Sequence, residues 1–78
     1  MSVNRPCQCC GCFTVGSEYD ICPVCFWEDD HYQSECPDCA GGANSISLIE
    51  AKRNYKEYGA CEERLVRFVR PPRPEELP

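Results

Sequence analysis

Bulky and polar residues alternate over Phe13-Thr14-Val15 and again over Tyr19-Asp20-Ile21, with Gly16-Ser17 between the two runs. A period of two on either side of a Gly-Ser turn is the pattern of short paired strands. Residues 7–25 therefore predict a β-type hairpin built around two cysteine-rich turns. Residues 28–45 keep neither the strand nor the helix period and are rich in acids, cysteine and glycine. An irregular stretch of that length is unusual in a small chain, so it predicts an anchor that ties it down.

A helix follows. Ser47 and Glu50 form a Ser-x-x-Glu capping box, in which each side chain takes up an unpaired amide at the helix start. Leu48, Ala51, Tyr55 and Tyr58 share one face, Lys52, Arg53 and Lys56 point elsewhere, and Gly59 supplies a left-handed stop. The predicted helix covers residues 48–58. Beyond it Cys61, Leu65 and Phe68 suit further helical turns, whereas Val66 and Val69 suit a strand. Pro71, Pro72, Pro74 and Pro78 end regular structure, which predicts an extended tail over 71–78 after a single domain over 1–70.

Composition adds a constraint that the pattern lacks. A chain of 78 residues buries only about 60–65% of its unfolded surface, so its core needs a staple. Nine of its residues are cysteine, above the rough 8–10% that marks a cross-linked scaffold. It lacks the run of about 18 apolar residues that a membrane span requires, and Met1-Ser2-Val3-Asn4-Arg5-Pro6 lacks the apolar core of a signal peptide. These features point to the cytoplasm, where clustered thiols hold metal more often than they form disulfides.

Two residues between cysteines let both sulfurs face one ion, and two such turns close a tetrahedral shell. Cys7-x-x-Cys10-Gly11 and Cys22-Pro23-x-Cys25 fit best, and the eleven residues between them suffice for a short hairpin to bring the turns together. They predict a structural zinc on Cys7, Cys10, Cys22 and Cys25. The alternatives are iron in a rubredoxin-like site, or disulfides in an exported protein. Cys9, Cys12, Cys36 and Cys39 have the spacing for a second zinc that would pin the 28–45 loop. Against it, the pairs Cys7/Cys10 and Cys9/Cys12 overlap on one turn. Cys36/Cys39 could instead be a free or redox-active dithiol. Cys61 reads as a small buried apolar residue, and His31 as an exposed loop histidine. The fold class is a small metal-stabilised α+β domain: a zinc-ribbon-like hairpin with two rubredoxin-type knuckles, one amphipathic helix and a Pro-rich tail.

The run Cys7-Gln8-Cys9-Cys10-Gly11, then Tyr19-Asp20-Ile21-Cys22-Pro23-Val24-Cys25-Phe26-Trp27-Glu28-Asp29-Asp30, resembles the bacterial CPCC family of cysteine-rich proteins. So do Gly41-Gly42-Ala43-Asn44, Ser47-Leu48, Glu50-Ala51, Asn54-Tyr55 and Gly59-Ala60-Cys61-Glu62-Glu63. The resemblance covers roughly residues 6–72. It implies a small zinc-binding protein of unsettled activity, with shared cysteines at Cys7, Cys9, Cys10, Cys22, Cys25 and Cys61. Gln8 stands where the family name has proline, Cys12 stands where an aromatic residue is expected, and Cys36 and Cys39 are additions. The joint presence of these extra cysteines favours a shared ion.

Charge narrows the function. The net charge is −5, with one base against seven acids in residues 1–46 and seven bases against six acids in 47–78. An acidic metal module is a poor grip on phosphate. Arg64, Arg67, Arg70 and Arg73 recur every third residue and leave nucleic-acid binding as an alternative, but Glu62, Glu63, Glu75 and Glu76 offset them. Glu28, Asp29, Asp30 and His31 could run acid–base chemistry, although a solvated acidic loop is the simpler reading. A closed four-thiolate zinc activates no water, so an enzyme is not expected. One of Phe26 and Trp27 should pack over the hairpin. The other, taken as Trp27, would with Glu28, Asp29 and Asp30 contact a protein partner bearing a basic surface. That describes an adaptor or inhibitor, in the manner of an antitoxin or immunity factor. Thiol exchange or metal handling at Cys36/Cys39 is the rival.

Overall fold

The structure is a computed structural model that describes residues 4–78. Strand β1 (Arg5–Pro6) runs antiparallel to β2 (Phe13–Val15), with Arg5 opposite Val15 and Pro6 opposite Phe13 across an irregular register. The first cysteine turn is the tip of this ribbon, closed where the Cys7 amide donates to the Cys12 carbonyl at 2.8 Å. The second turn is built alike. Ile21 and Glu28 form an isolated antiparallel bridge, and the Cys22 amide donates to the Trp27 carbonyl at 2.9 Å.

The predicted hairpin over 7–25 is therefore replaced by two hairpins, each tipped by one cysteine turn. A knuckle reverses the chain by itself, so its two flanks pair with each other and the Gly16-Ser17 turn only links the units. That link is fastened by Asp20, whose carboxylate accepts the Gly16 and Ser17 amides at 2.9 Å each. The same backbone bonds hold the Asp20 carboxyl below its usual pKa.

Helix α1 (His31–Glu35) is short, and α2 (Leu48–Tyr58) occupies the range its pattern predicts. Ser47 Oγ accepts the Glu50 amide at 3.2 Å, and Gly59 ends α2 at φ 83°. Leu48 and Ala51 are buried and Tyr55 is half-buried, but Tyr58 at the end of the stripe is exposed. The ambiguous segment that follows is a 3-10 helix, Glu63–Phe68, which buries Leu65 and leaves Phe68 in solvent.

The tail is not extended. Pro74–Glu76 forms a 3-10 turn packed against β2. Arg70 grips both Glu76 oxygens at 2.9 Å, and Glu76 Oε1 accepts the Arg73 amide at 2.8 Å. Proline suits the first turn of a helix because its missing donor is not needed there, so Pro74 starts a turn rather than preventing one.

The core lies between the knuckles and α2. It contains Val15, Val24, Trp27, Leu48, Ala51, Ala60 and Leu65, and its remaining volume is filled by Cys7, Cys9, Cys12, Cys22, Cys25 and Cys61. The 28–45 segment has the predicted anchor, made of polar side chains. Gln33 is fully buried. Its Nε2 reaches the carbonyls of Cys39, Asn44 and Ile46 at 3.1, 3.3 and 2.9 Å, and its Oε1 accepts the Asn44 backbone and side-chain N–H groups at 3.0 Å each. Asn44 also pairs with the backbone of Glu28 through both side-chain atoms, at 2.9 and 2.8 Å. Asp30 caps α1 at the Tyr32 amide (2.9 Å) and takes the Ala43 amide with its other oxygen (2.7 Å). A Cβ at Gly42 would lie 2.5 Å from Asp30 Oδ2 and 2.8 Å from Gln33 Cγ. Only glycine lets the loop close.

Candidate metal centre

The two knuckles repeat one local geometry. In the first, the Gly11 amide donates to the Cys7 carbonyl at 2.9 Å and the Cys9 amide approaches Cys7 Sγ at 3.4 Å. In the second, the Phe26 amide donates to the Cys22 carbonyl at 2.8 Å and the Val24 amide approaches Cys22 Sγ at 3.4 Å. The residue after each second cysteine is left-handed, Gly11 at φ 81° and Phe26 at φ 70°. Glycine adopts that conformation freely. Phenylalanine does so at a cost of roughly 1–2 kcal/mol.

The knuckles bring Cys7, Cys10, Cys22 and Cys25 together, with all four sulfurs within 4.8 Å of one another. The Cys7–Cys25 and Cys10–Cys22 sulfurs are 3.5 and 3.7 Å apart. A tetrahedron with bonds of about 2.3 Å to its centre has edges of about 3.8 Å, whereas a disulfide requires about 2.0 Å. The spacing therefore fits four ligands around one ion. The Thr14 hydroxyl adds a donor to Cys22 Sγ at 2.9 Å. Hydrogen bonds from the neighbouring thiols, Cys10 foremost, hold Cys22 far below the usual thiol pKa, while the same network pushes Cys10 and Cys25 up. Without a cation the cluster cannot carry four negative charges, so loading it with a dication releases protons. Four thiolates also complete a tetrahedral shell, leaving no position for a reacting water.

The model of the cysteine-rich CPCC family matches residues 5–76, both knuckles and the docked tail turn included. The chain belongs to this family. No curated protein matches it. Of the six cysteines that the CPCC resemblance carries over, four make this centre. The other two, Cys9 and Cys61, are buried close by, and the Cys61 amide donates to the Cys25 carbonyl at 2.7 Å. Burial pushes the Cys61 thiol up to about 12, which suits the expected apolar filler.

The expected second site on Cys9, Cys12, Cys36 and Cys39 is not assembled. Cys36 and Cys39 are joined to each other as a disulfide, while Cys9 and Cys12 are buried free thiols. Among the described residues, Cys7, Cys10, Cys22 and Cys25 are the one His/Cys/Asp/Glu group close enough to hold an ion. A single turn that aims Cys7 and Cys10 at one ion sends Cys9 and Cys12 into the core instead.

The expected contact surface is corrected as well. Trp27 is fully buried, Asp29 and Asp30 are buried, and Glu28 is half-buried. Their polarity is used inside the fold, apart from Asp29 Oδ1, which is buried without a partner among the described residues. The indole Nε1 donates to Gln8 Oε1 at 2.8 Å, Asp30 caps α1, and Asp29 Oδ2 meets Arg5 Nη2 at 3.3 Å. His31 is exposed and lies 3.2 Å from the Glu35 carboxylate. The C-terminal arginines are partly neutralised, Arg64 by Glu62 at 3.0 Å and Arg70 by Glu76. No described helix is long and apolar enough to cross a membrane.

Four residues matter that the sequence pattern passes over: Gln8, Thr14, Gln33 and Asn44. Gln8 spans Trp27 and Asp30, accepting at Oε1 from the indole and donating from Nε2 to the Asp30 carbonyl at 3.3 Å. Its one signal in the sequence is that it occupies the proline position of the family name.

Proposed function

We propose that this CPCC chain is a non-catalytic zinc-binding protein that acts as an adaptor or inhibitor of another protein. The observation that carries the reading is the closed shell of four sulfurs, which suits a structural zinc and offers no open coordination position. The working part of the molecule is then its surface.

The contact we favour replaces Trp27 by its neighbour. Phe26 is half-buried, stacks on Phe68 with ring centroids 5.5 Å apart, and shares a groove with Ile21. Phe68 is 58% and Ile21 48% exposed. Phe26 sits at positive φ with one part of its ring packed on the core and another left accessible beside Phe68, a strained placement that a knuckle needing only the turn would give to glycine, as the first knuckle does. The net charge of −5 favours a partner with a basic surface.

Elemental analysis with native mass spectrometry tests the metal: one zinc per chain is expected, and a red, iron-loaded protein would refute it. Phe68→Asp tests the surface, because that exposed side chain can change without loss of the metal. The expected result is a partner bound by the parent chain through contacts that the variant loses at equal zinc content. Identical capture by both chains would remove this surface from the reading.

A further inference from the structure

Seven of the nine cysteines are free, and they line the knuckles and the core next to them. The remaining two form a disulfide elsewhere, across Cys36-Pro37-Asp38-Cys39. Both cysteines are half-buried, and Pro37 and Asp38 between them are exposed. A cross-link stabilises a fold more as the loop it closes lengthens, so a ring of four residues is a poor place for a staple.

This ring is also held without its sulfurs. The Cys36 amide donates to the Tyr32 carbonyl at 3.0 Å, ending α1, and the Cys39 amide donates to the Cys36 carbonyl at 2.9 Å. The Pro37 carbonyl accepts the Ile49 amide of the first turn of α2 at 3.0 Å, and the Cys39 carbonyl accepts Gln33 Nε2 at 3.1 Å. The backbone is fastened to the protein, while Cys36 and Cys39 both keep part of their surface accessible and flank the exposed Pro37 and Asp38. Opening the disulfide breaks none of these bonds.

We propose that Cys36 and Cys39 form a reversible dithiol/disulfide exchange site, independent of the four-cysteine centre, whose reaction partner is a thiol or dithiol. A thiolate of the donor attacks one ring sulfur, forming a mixed disulfide and expelling the other cysteine as a thiolate that takes up a proton. A second donor thiol then attacks the donor sulfur of the mixed disulfide and releases the first cysteine. Two electrons and two protons enter the pair, and the donor leaves as its disulfide. The reverse sequence reduces a disulfide substrate. Asp38 Oδ1 lies 3.9 Å from Cys36 Sγ. That carboxylate repels an incoming anionic thiolate carrier, so the site should favour neutral or cationic thiols over glutathione.

The test uses the metal-loaded full chain in buffers of stepped reduced-to-oxidised glutathione ratio, followed by alkylation and mass spectrometry, with metal content read in parallel. The expected result is two alkyl groups, mapped to Cys36 and Cys39, that appear and disappear together with the buffer ratio while the metal is retained. A Cys36→Ser/Cys39→Ser double variant should fold, keep the metal and lose the exchange. Asp38→Asn should speed exchange with glutathione at least twofold relative to 2-mercaptoethanol. A pair that stays oxidised or stays reduced across the whole range would overturn the proposal. So would loss of metal or of folded structure when the pair is reduced, because the disulfide would then be a staple.

Discussion

Two regions of this protein lack regular secondary structure over most of their length, and they are held by opposite means. Residues 7–27 are drawn to a single point by four cysteine sulfurs. Residues 28–46 are drawn to a single side chain, Gln33, whose amide gathers Cys39, Asn44 and Ile46, with Asp30 and Asn44 closing the remainder. An ion concentrates its free energy in one event, whereas the amide network spreads it over bonds worth about 1 kcal/mol each. The metal region should therefore fail completely, and the loop should fail locally.

Breaking the metal region should have the largest effect. Binding of a structural zinc is worth roughly 10–16 kcal/mol, as much as the roughly 5–15 kcal/mol that stabilises a typical domain. Cys22→Ser, or chelation of the parent chain, is therefore expected to unfold the whole protein, as read by circular dichroism. A variant that stays folded without metal would place the main support elsewhere.

Gln33→Ala tests the other half of the comparison. It strands three carbonyls and the Asn44 backbone amide, while Asn44 Nδ2 keeps its bond to the Glu28 carbonyl, for an expected loss of about 3 kcal/mol. Hydrogen exchange should quicken across residues 36–46 while the metal stays bound. Metal loss in step with loop opening would mean that the two regions form one cooperative unit.

A smaller effect distinguishes the two knuckles. Gly11 and Phe26 hold the same left-handed position, and a Cβ at Gly11 would meet nothing within 4 Å. Gly11→Ala should then cost only its conformational term, about 1–2 kcal/mol. Phe26→Gly should relieve that term while losing packing on Phe68 and on the edge of the core, for a net change of less than about 1 kcal/mol. Denaturant titration of the metal-loaded variants gives both values.

The smallest effect concerns the tail turn. Arg70, and after it the Arg73 amide, holds the Glu76 carboxyl down at about 2. A lowered carboxylate pKa gives stability that is complete above the unfolded value of about 4.3 and fades as pH falls toward the folded one. Tail docking, followed by NMR, should weaken between those limits, and Arg70→Ala should reduce that dependence to the part the Arg73 amide supplies.

Helix α2 was legible because everything it needs is local: the Ser47 cap, a stripe beginning at Leu48 and Ala51, and the Gly59 stop. The four-cysteine cluster was legible for the same reason, since two-residue spacing orients two sulfurs whatever surrounds them. The hairpins were misplaced because alternation shows which residues can be strands but not which strands pair. The irregular 28–45 loop announced that it needed an anchor without saying which. Gln33 and Asn44 look like ordinary surface amides until Gly42 brings the chain close enough for them to meet.

The sequence by itself determined which four cysteines cluster, the α2 boundaries, the acidic balance and the family. Each depends on residue identity or on spacing of a few positions. Only the tertiary structure decided that Trp27, Asp29 and Asp30 turn inward while Phe26 stays half-buried at the edge of the core, that Cys36 joins Cys39, and that the Pro-rich tail docks through Arg70 and Glu76. Those outcomes depend on which groups distant in the chain come within hydrogen-bonding or bonding distance, and short-range pattern carries no information about that.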